Sequence, residues 1–161
     1  MTTTLPAEGD AMPDIALLDA NGDTIRPSEL RGRPAVLFFY PKDGTPGCTS
    51  EAKDFSALLP DFTAAGVAVL GVSKDSPERH RKFIAKHDLS VPLASDTPEN
   101  GLSDALGIWV EKAMYGRTYM GMARTTYLVD RKGHIISIWH KVKVAGHAAE
   151  VLSAAQALAE E

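Results

Sequence analysis

The single cysteine of the sequence, Cys48, follows a loop rich in turn residues, residues 41–47 (PKDGTPG). With Thr45 as the N-cap and Pro46 as the first helical residue, Cys48 lies in the first turn of a helix. Backbone N–H groups without intrahelical partners and the positive end of the helix dipole surround a side chain at that position. Both favour the thiolate, which is the nucleophilic form of cysteine. The sequence therefore predicts a reactive thiol at Cys48.

A lone cysteine in a protein is often just a small buried apolar residue. Two observations favour a nucleophile here. Cys48 lies outside the apolar helix face that the i, i+3, i+4, i+7 spacing predicts for Phe55, Leu58, Leu59 and Phe62. It also follows a loop with a hydroxyl side chain three positions away. The alternative is a non-catalytic binding module in which Cys48 is structural.

The elements on either side of Cys48 are predicted to place it at the edge of a sheet. Residues 35–40 form an unbroken apolar run that is typical of a strand buried on both faces. The helix that contains Cys48 is predicted to end at Gly66, and residues 67–72 form a second buried strand. In such a βαβ unit, the loop after the first strand and the start of the helix meet at the carboxyl edge of the sheet, where sites form.

The remaining elements extend this unit into an α/β fold. The pattern predicts a hairpin over residues 15–25, a helix over 76–87, a second hairpin over 125–139 and a helix over 148–159, around an irregular middle section over 88–124. The order of elements resembles a thioredoxin-like fold with an N-terminal β-hairpin and a central insertion, a mixed sheet flanked by helices.

Length and composition exclude several classes of protein for this chain. The 161 residues suffice for a single domain with a full core, and residues 1–12 are predicted to be a flexible N-terminal extension. The net charge of −4, without a basic cluster, argues against nucleic acid or an anionic membrane as partner. The longest stretch without polar side chains, residues 64–72, is far shorter than the about 20 residues of a membrane-spanning helix. With no signal-peptide pattern either, we expect a cytoplasmic protein.

No metal or cofactor is expected from the sequence. One cysteine can form neither an internal disulfide nor a zinc site that needs several closely spaced ligands. The five histidines lack metal-binding spacing, and we expect them to be solvated or hydrogen-bonded within the fold. The glycines match no phosphate-binding loop.

The segment YPKDGTPGCTSEAKDF resembles the active-site segment of the peroxiredoxins, in particular their Q-type branch, the bacterioferritin comigratory proteins. The family pattern is Pro-x-x-x-Thr-x-x-Cys with a distant arginine, and here these positions are Pro41, Thr45, Cys48 and Arg124. The resemblance extends from about Pro13 to the end of the chain. It includes the segments YGRTYMGMARTTYLVDRKG and KVKVAGHAAEVL.

The resemblance implies a thiol-dependent peroxidase for hydrogen peroxide and alkyl hydroperoxides. Cys48 would be the peroxidatic cysteine, which attacks the O–O bond and becomes a sulfenic acid. Thr45 would hydrogen-bond the thiolate and the peroxide, and Arg124 would hold the thiolate charge and polarise the peroxide. Pro41 would shield the site from water, and Glu51 would orient Arg124.

An apolar group of side chains precedes Arg124 in the sequence. It is either loop packing or, by the resemblance, a collar around the peroxide pocket, and its members are Trp109, Met114, Tyr115, Tyr119, Met120 and Met122.

The chain departs from many of these relatives because it lacks a resolving cysteine. Lys53 stands five residues after Cys48, and residues 76–87 contain no cysteine. The resemblance therefore implies a 1-Cys mechanism with an external thiol, from thioredoxin or from glutaredoxin with glutathione, in a monomer or weak homodimer. A thioredoxin-like disulfide reductase would need a C-x-x-C motif over residues 45–48, and Thr45 occupies its first position.

Overall fold

In the computed structural model of the chain, which describes residues 5–97 and 101–160, a seven-stranded mixed sheet forms the centre of the fold. The elements are, in chain order, β1 (Leu17–Asp19), β2 (Thr24–Ile25), a 3-10 turn (Pro27–Leu30), β3 (Ala35–Phe39), α1 (Pro46–Ala64), β4 (Ala68–Ser73), α2 (Pro77–His87), β5 (Leu93–Ser95), α3 (Leu102–Ala105), β6 (Trp109–Met114), β7 (Arg117–Met122), β8 (Thr125–Val129), β9 (Ile135–Trp139) and α4 (His147–Ala159).

The sheet has the strand order β2-β1-β5-β4-β3-β8-β9. Strand β4 is parallel to both β3 and β5, whereas β8 runs antiparallel to β3. All five residues of β3 are buried because the two faces of the sheet carry separate apolar clusters. On one face, Phe38 stacks on Phe55 of α1 with ring centroids 4.3 Å apart. On the other face, Phe39 packs edge-on against Tyr127.

Most of the predicted elements are confirmed within one or two residues. Helix α1 begins at Pro46 after the N-cap Thr45, and the chain leaves it through Gly66, whose positive φ of 76° suits glycine. Helix α2 begins after Ser76, whose side chain accepts from the backbone N–H of Arg79. Both hairpins and helix α4 also form.

The prediction of an irregular middle section over residues 88–124 is wrong. Strand β5 lies inside the sheet between β1 and β4, and β6 and β7 form a separate two-stranded ribbon. Strand β5 is three residues long, too short to show a periodic pattern. The ribbon has few buried residues, so it lacks the apolar alternation of a half-buried strand. The predicted central insertion is therefore a strand of the sheet followed by a short helix and this ribbon.

Part of the predicted N-terminal extension packs on the sheet. Residues 1–4 of that segment lie outside the described residues. The backbone N–H of Gly9 donates to Ile135 and that of Met12 to Gly133, and the Met12 side chain is buried. In the part of the chain that the structure describes, no helix is long and apolar enough to cross a membrane.

Candidate active site

Cys48 lies in the first turn of α1, as predicted, and is 1% exposed. The first intrahelical donor is the N–H of Thr49, which bonds the carbonyl of Thr45 at 2.9 Å. The N–H groups of Gly47 and Cys48 come before it and have no acceptor within the helix. The Cys48 sulfur thus lies at the positive end of the helix, beside two backbone donors.

Arg124 reaches Cys48 from the link between β7 and β8. Thr125 pairs with Phe39, so Arg124 lies level with the end of β3, at the edge of the sheet where the loop to α1 begins. The N–H of Val142 donates to the carbonyl of Arg124 at 3.1 Å and holds this link. The guanidinium Nη2 is 3.3 Å from Cys48 Sγ. The structure therefore brings the predicted cation onto the predicted nucleophile.

Glu51 lies one turn after Cys48 and holds the other arm of Arg124. Its Oε1 accepts from Arg124 Nη1 at 2.6 Å, a contact that the orienting role implied by the resemblance requires. The Glu51 side chain is 1% exposed, and none of the residues that the structure describes hydrogen-bonds to Oε2. Burial raises the pKa of Glu51 to about 7, although Arg124 acts in the opposite direction.

The charge of Arg124 is secured by its two neighbours. Burial by itself lowers the pKa of the Arg124 guanidinium, but Glu51 and Cys48 outweigh burial, so the pKa is raised above its ordinary value. The Arg124 side chain is 17% exposed. Arg124 is thus a fixed cation with one arm on the carboxylate and one on the sulfur.

Thr45 and Pro41 lie in the loop before Cys48. The Thr45 hydroxyl donates to the carbonyl of Lys42 at 2.8 Å and does not cap the helix with its side chain. Its single proton is engaged, so its lone pairs are the part that can act on a ligand as acceptors. Pro41 is half-buried, directly after the fully buried Tyr40.

A buried cluster that sequence reasoning missed fixes this loop. Asp43 Oδ1 accepts from the Tyr40 hydroxyl at 2.6 Å, and Asp43 Oδ2 lies 2.6 Å from His80 Nδ1. The other ring nitrogen of His80 lies 3.0 Å from the carbonyl of Ala94. His80 is 0% exposed. A usable signal was its position three residues before Phe83, on the face of α2 that is buried.

The same loop is bound a second time by the end of β4. The N–H of Asp43 donates to Asp75 Oδ2 at 2.8 Å, and the Ser73 hydroxyl donates to the same oxygen at 2.7 Å. The segment between β3 and α1 is therefore tied to β4, α2 and β5. These contacts hold the loop that carries Pro41 and Thr45.

Gly47 is a second residue that sequence reasoning missed. A Cβ atom added at Gly47 would lie 3.2 Å from Arg124 Nη2. The absent side chain lets the guanidinium lie against the first turn of α1. Position 47 thus contributes to the 3.3 Å approach of Arg124 to Cys48.

An open cleft of about 500 Å³ adjoins the loop and the ribbon. Of the predicted apolar collar, Trp109, Tyr119, Met120 and Met122 line this cleft together with Pro41. Met114 and Tyr115 do not line it, and Tyr115 is 96% exposed at the tip of the ribbon. Part of the predicted collar thus forms one wall of a cleft, whereas Tyr115 projects into solvent.

The chain matches known proteins over most of its length. Residues 8–138 match the AhpC/TSA family. The chain is 42% identical over 153 residues to Peroxiredoxin Bcp of Bacillus subtilis, covering 95% of this chain and 97% of the relative. It is 48% identical over 130 residues to Peroxiredoxin Bcp of Xanthomonas campestris, covering 81% of each chain.

Solved structures agree with the sequence matches. The bacterioferritin comigratory protein of Xanthomonas campestris, studied for its alkyl peroxide reduction activity, superposes with a TM-score of 0.84 at 41% identity, covering 93% of this chain and 99% of that one. Peroxidoxin BcpB of Mycobacterium tuberculosis superposes with a TM-score of 0.83 at 30% identity, covering 95% and 98%. The predicted fold class, a mixed sheet flanked by helices, is confirmed by these structures.

Proposed function

Because the chain belongs to the AhpC/TSA family and is a peroxiredoxin, a thiol-dependent peroxidase, we propose that it reduces hydrogen peroxide and alkyl hydroperoxides through Cys48. The observation that carries this proposal is the contact of Arg124 Nη2 with Cys48 Sγ at the start of α1. Membership of the family favours an enzyme over the non-catalytic binding module. A thioredoxin-like disulfide reductase would need a second cysteine, and the sequence contains only Cys48.

The proposed first step is attack of the Cys48 thiolate on one peroxide oxygen. The S–O bond forms as the O–O bond breaks, so the sulfur is oxidised to sulfenic acid, and the second oxygen leaves as water or alcohol after taking up a proton. Arg124 and the N–H groups of the first helical turn donate to the oxygens as charge develops on them. The Thr45 hydroxyl donates its proton to the backbone carbonyl of Lys42, so its oxygen accepts a hydrogen bond from the peroxide O–H.

Pro41 and Glu51 act on this step through their neighbours. Pro41, half-buried at the edge of the cleft, limits the access of water to the sulfur. Glu51 holds one arm of Arg124 so that the other arm faces the sulfur. A fixed donor does not have to reorient when charge develops on the peroxide.

The cycle closes with an external thiol. Cys48 has no cysteine partner in its own chain, and Lys53 is exposed on α1. The sulfenic acid and a thiol form a mixed disulfide and water, and a second thiol then releases Cys48 and a disulfide. We propose thioredoxin as the first candidate, with glutaredoxin and glutathione as the alternative. A reducing compartment such as the cytoplasm supplies these thiols, and a monomer or weak homodimer suffices for the scheme.

Rapid mixing with hydrogen peroxide, followed by mass spectrometry of Cys48, tests the proposal. We expect wild-type protein to form a sulfenic acid that dimedone traps, and to turn over when a thiol is added. Cys48→Ser loses both, whereas Ser50→Ala, an exposed position on the same helix, retains both. Peroxidase activity that survives in Cys48→Ser would refute Cys48 as the nucleophile. A product consisting of Cys48–Cys48 dimers alone would refute the external-thiol scheme.

A further inference from the structure

The loop between β9 and α4, residues 140–146, contacts the backbone of Arg124. This loop has no regular secondary structure, and most of its residues are exposed. The N–H of Val142, in the middle of the loop, donates to the carbonyl of Arg124 at 3.1 Å. Arg124 lies between β7 and β8, outside both strands. The place of its guanidinium on Cys48 Sγ therefore depends in part on where this loop lies.

The β9–α4 loop has a backbone conformation that its residue types do not favour. Lys141, directly before Val142, has a φ of 49°, in the left-handed region that residues other than glycine rarely adopt. An open cleft of about 460 Å³ lies along the loop, lined by the loop, by its neighbours Trp139 and His147, and by Glu150. A strained backbone persists where the surrounding structure holds it. With a cleft along the loop, that support comes from the ends of the loop.

His147, the first residue of α4, joins the two ends of this loop. Its backbone N–H donates to the carbonyl of Val144 at 3.1 Å. Its ring packs edge-on against the ring of Trp139, the last residue of β9, with centroids 5.9 Å apart. The residue before the loop and the residue after it are therefore in contact, and the loop is closed at its base.

The same histidine ring is anchored in the core beside the active site. His147 is 5% exposed, and its Nε2 lies 2.8 Å from the hydroxyl oxygen of Thr126. Thr126 belongs to β8 and lies two residues after Arg124. The ring also packs edge-on against Phe55 of α1, with centroids 6.1 Å apart. The base of the loop is thus fixed to the strand that Arg124 precedes and to the helix that carries the reactive sulfur.

The contact between His147 and Thr126 is a hydrogen bond between neutral groups at pH 7. Burial lowers the pKa of His147 below its ordinary value of 6.5, and the charge of Arg124 acts in the same direction, whereas Glu150 opposes both. The ring is therefore uncharged at pH 7. Because a neutral ring adds no charge beside Arg124, an effect of His147 on the reaction has to come from geometry.

We infer that His147 is a positioning residue for peroxide reduction: together with Thr126, it fixes the loop that holds Arg124 against the sulfur. The inference rests on the proposed function, because the step that it concerns is the oxidation of Cys48 by peroxide. A donor to developing charge acts best when it is held in place before the reaction, and small displacements weaken it. The contribution of His147 is transmitted through Val142 and Arg124, without contact with the peroxide.

The test removes the hydrogen bond and retains the bulk of the side chain. Thr126→Val replaces the hydroxyl by a methyl group, whereas Thr126→Ser retains the hydroxyl. The rate constant for oxidation of Cys48 by hydrogen peroxide is measured by stopped flow, at a pH where the sulfur is ionised, with and without Arg124→Met. Thr24→Val, at an exposed position of β2 on the sheet edge opposite β9, is the matched control. Denaturant unfolding of each variant shows that it is folded.

We expect Thr126→Val to slow oxidation by about threefold to thirtyfold, and Thr126→Ser to retain most of the rate. In the Arg124→Met background, Thr126→Val should cause no further loss, because the contact acts through the guanidinium. A loss of equal size in both backgrounds would show a role in folding alone and would overturn the inference. A wild-type rate in Thr126→Val would overturn it as well.

His147→Leu removes the same hydrogen bond from the other side. In this variant Thr126→Val should cause no further loss, since the contact is already absent. His147→Gln, whose amide can reach the Thr126 hydroxyl, should have a rate between those of His147→Leu and the wild type. Additive losses from His147→Leu and Thr126→Val would show that the two residues act separately, which contradicts the inference.

A backbone change tests the link between the loop and Arg124 without altering a side chain. The α-hydroxy acid analogue of valine, incorporated at position 142, turns the amide into an ester and removes the N–H donor. The same replacement at Val144, whose N–H has no acceptor among the described residues, is the matched control. We expect a loss of about threefold or more at position 142 and none at position 144. Equal rates for the two esters would overturn the inference, also where a side-chain variant is unstable.

A failure of the proposed function gives a different result. If peroxide does not oxidise Cys48 in the wild-type protein, the proposed function itself is refuted. If peroxide oxidises Cys48 at the same rate in the wild type, in Thr126→Val and in the ester at position 142, peroxide reduction stands and the positioning role of His147 is refuted.

Discussion

Two buried side-chain pairs, Glu51 with Arg124 and Asp43 with His80, hold the start of α1 and the loop before it, and they differ in how completely they are hydrogen-bonded. In one, Arg124 Nη1 lies 2.6 Å from Glu51 Oε1, and in the other, His80 Nδ1 lies 2.6 Å from Asp43 Oδ2. Both Asp43 oxygens have side-chain partners, because the Tyr40 hydroxyl donates to Oδ1. Glu51 Oε2 has none.

The difference agrees with the roles that we propose for the two pairs, a structural role for Asp43 and His80 and a catalytic one for Glu51 and Arg124. His80 is 0% exposed and both of its ring nitrogens have partners, Asp43 Oδ2 and the carbonyl of Ala94, so its contacts fix the loop. Arg124 is 17% exposed and has one arm on a sulfur that changes chemically during the proposed reaction.

The largest effect is expected from Arg124→Met. Removing a donor that acts in the transition state commonly slows a reaction by about 10²–10³-fold. Stopped-flow oxidation of Cys48 by hydrogen peroxide measures the loss, and Arg131→Met, at an exposed position, is the control. The loss should persist at high pH, where the sulfur is ionised in both proteins. Full recovery at high pH would show that Arg124 acts on ionisation alone.

The second effect is expected from His80→Gln and concerns stability. The change removes the His80 Nδ1 partner of the buried Asp43 carboxyl group, and leaving a buried charged group short of a partner commonly costs about 3 kcal/mol. Denaturant unfolding measures the free energy of unfolding, with His134→Gln, an exposed histidine, as the control. Peroxide oxidation should slow less than in Arg124→Met. A variant with wild-type stability would contradict the structural role of this pair.

The third effect is a pH dependence that comes from Glu51. Its pKa is about 7 in the folded protein against an ordinary value of 4.5, so the folded state retains a proton that the unfolded chain has lost. Its stabilising contribution is complete below pH 4.5 and disappears as the pH rises through about 7. The free energy of unfolding should therefore fall by about 3 kcal/mol over this range, relative to Glu51→Gln. Glu78→Gln, in an exposed ion pair, should keep the wild-type slope.

The smallest effect is expected from Gly47→Ala. The added methyl group meets Arg124 Nη2 at 3.2 Å and displaces the guanidinium by a few tenths of an ångström, roughly. Small misplacements of this kind should slow Cys48 oxidation by about twofold to tenfold. The free energy of unfolding should stay unchanged. Gly44→Ala is unsuitable as a control because of its positive φ of 83°, whereas Ser50→Ala is a neutral one. An unchanged rate would show that the guanidinium has room to move.

Much of the fold could be predicted because its elements carry local signatures. The buried run of β3, the Thr45-Pro46 start of α1 and the Ser76-Pro77 start of α2 all depend on neighbouring residues. Strand β5 and the β6–β7 ribbon have no such signature. Strand β5 is defined by its neighbours in the sheet, and the ribbon has little buried surface to pattern its sequence.

The sequence by itself determined that Cys48 lies at a helix start, because capping acts within one turn of Cys48, and from that position it predicted a nucleophile. It also predicted, through its resemblance to the family pattern, that Arg124 belongs to the site. Tertiary structure alone decided that Arg124 Nη2 lies 3.3 Å from Cys48 Sγ. The pairing of β8 with β3 places Arg124, which directly precedes β8, beside the end of β3. Tertiary structure likewise decided that His80 Nδ1 contacts Asp43 Oδ2. It also decided that Glu51 Oε2 has no partner among the described residues, since burial depends on elements distant in the chain.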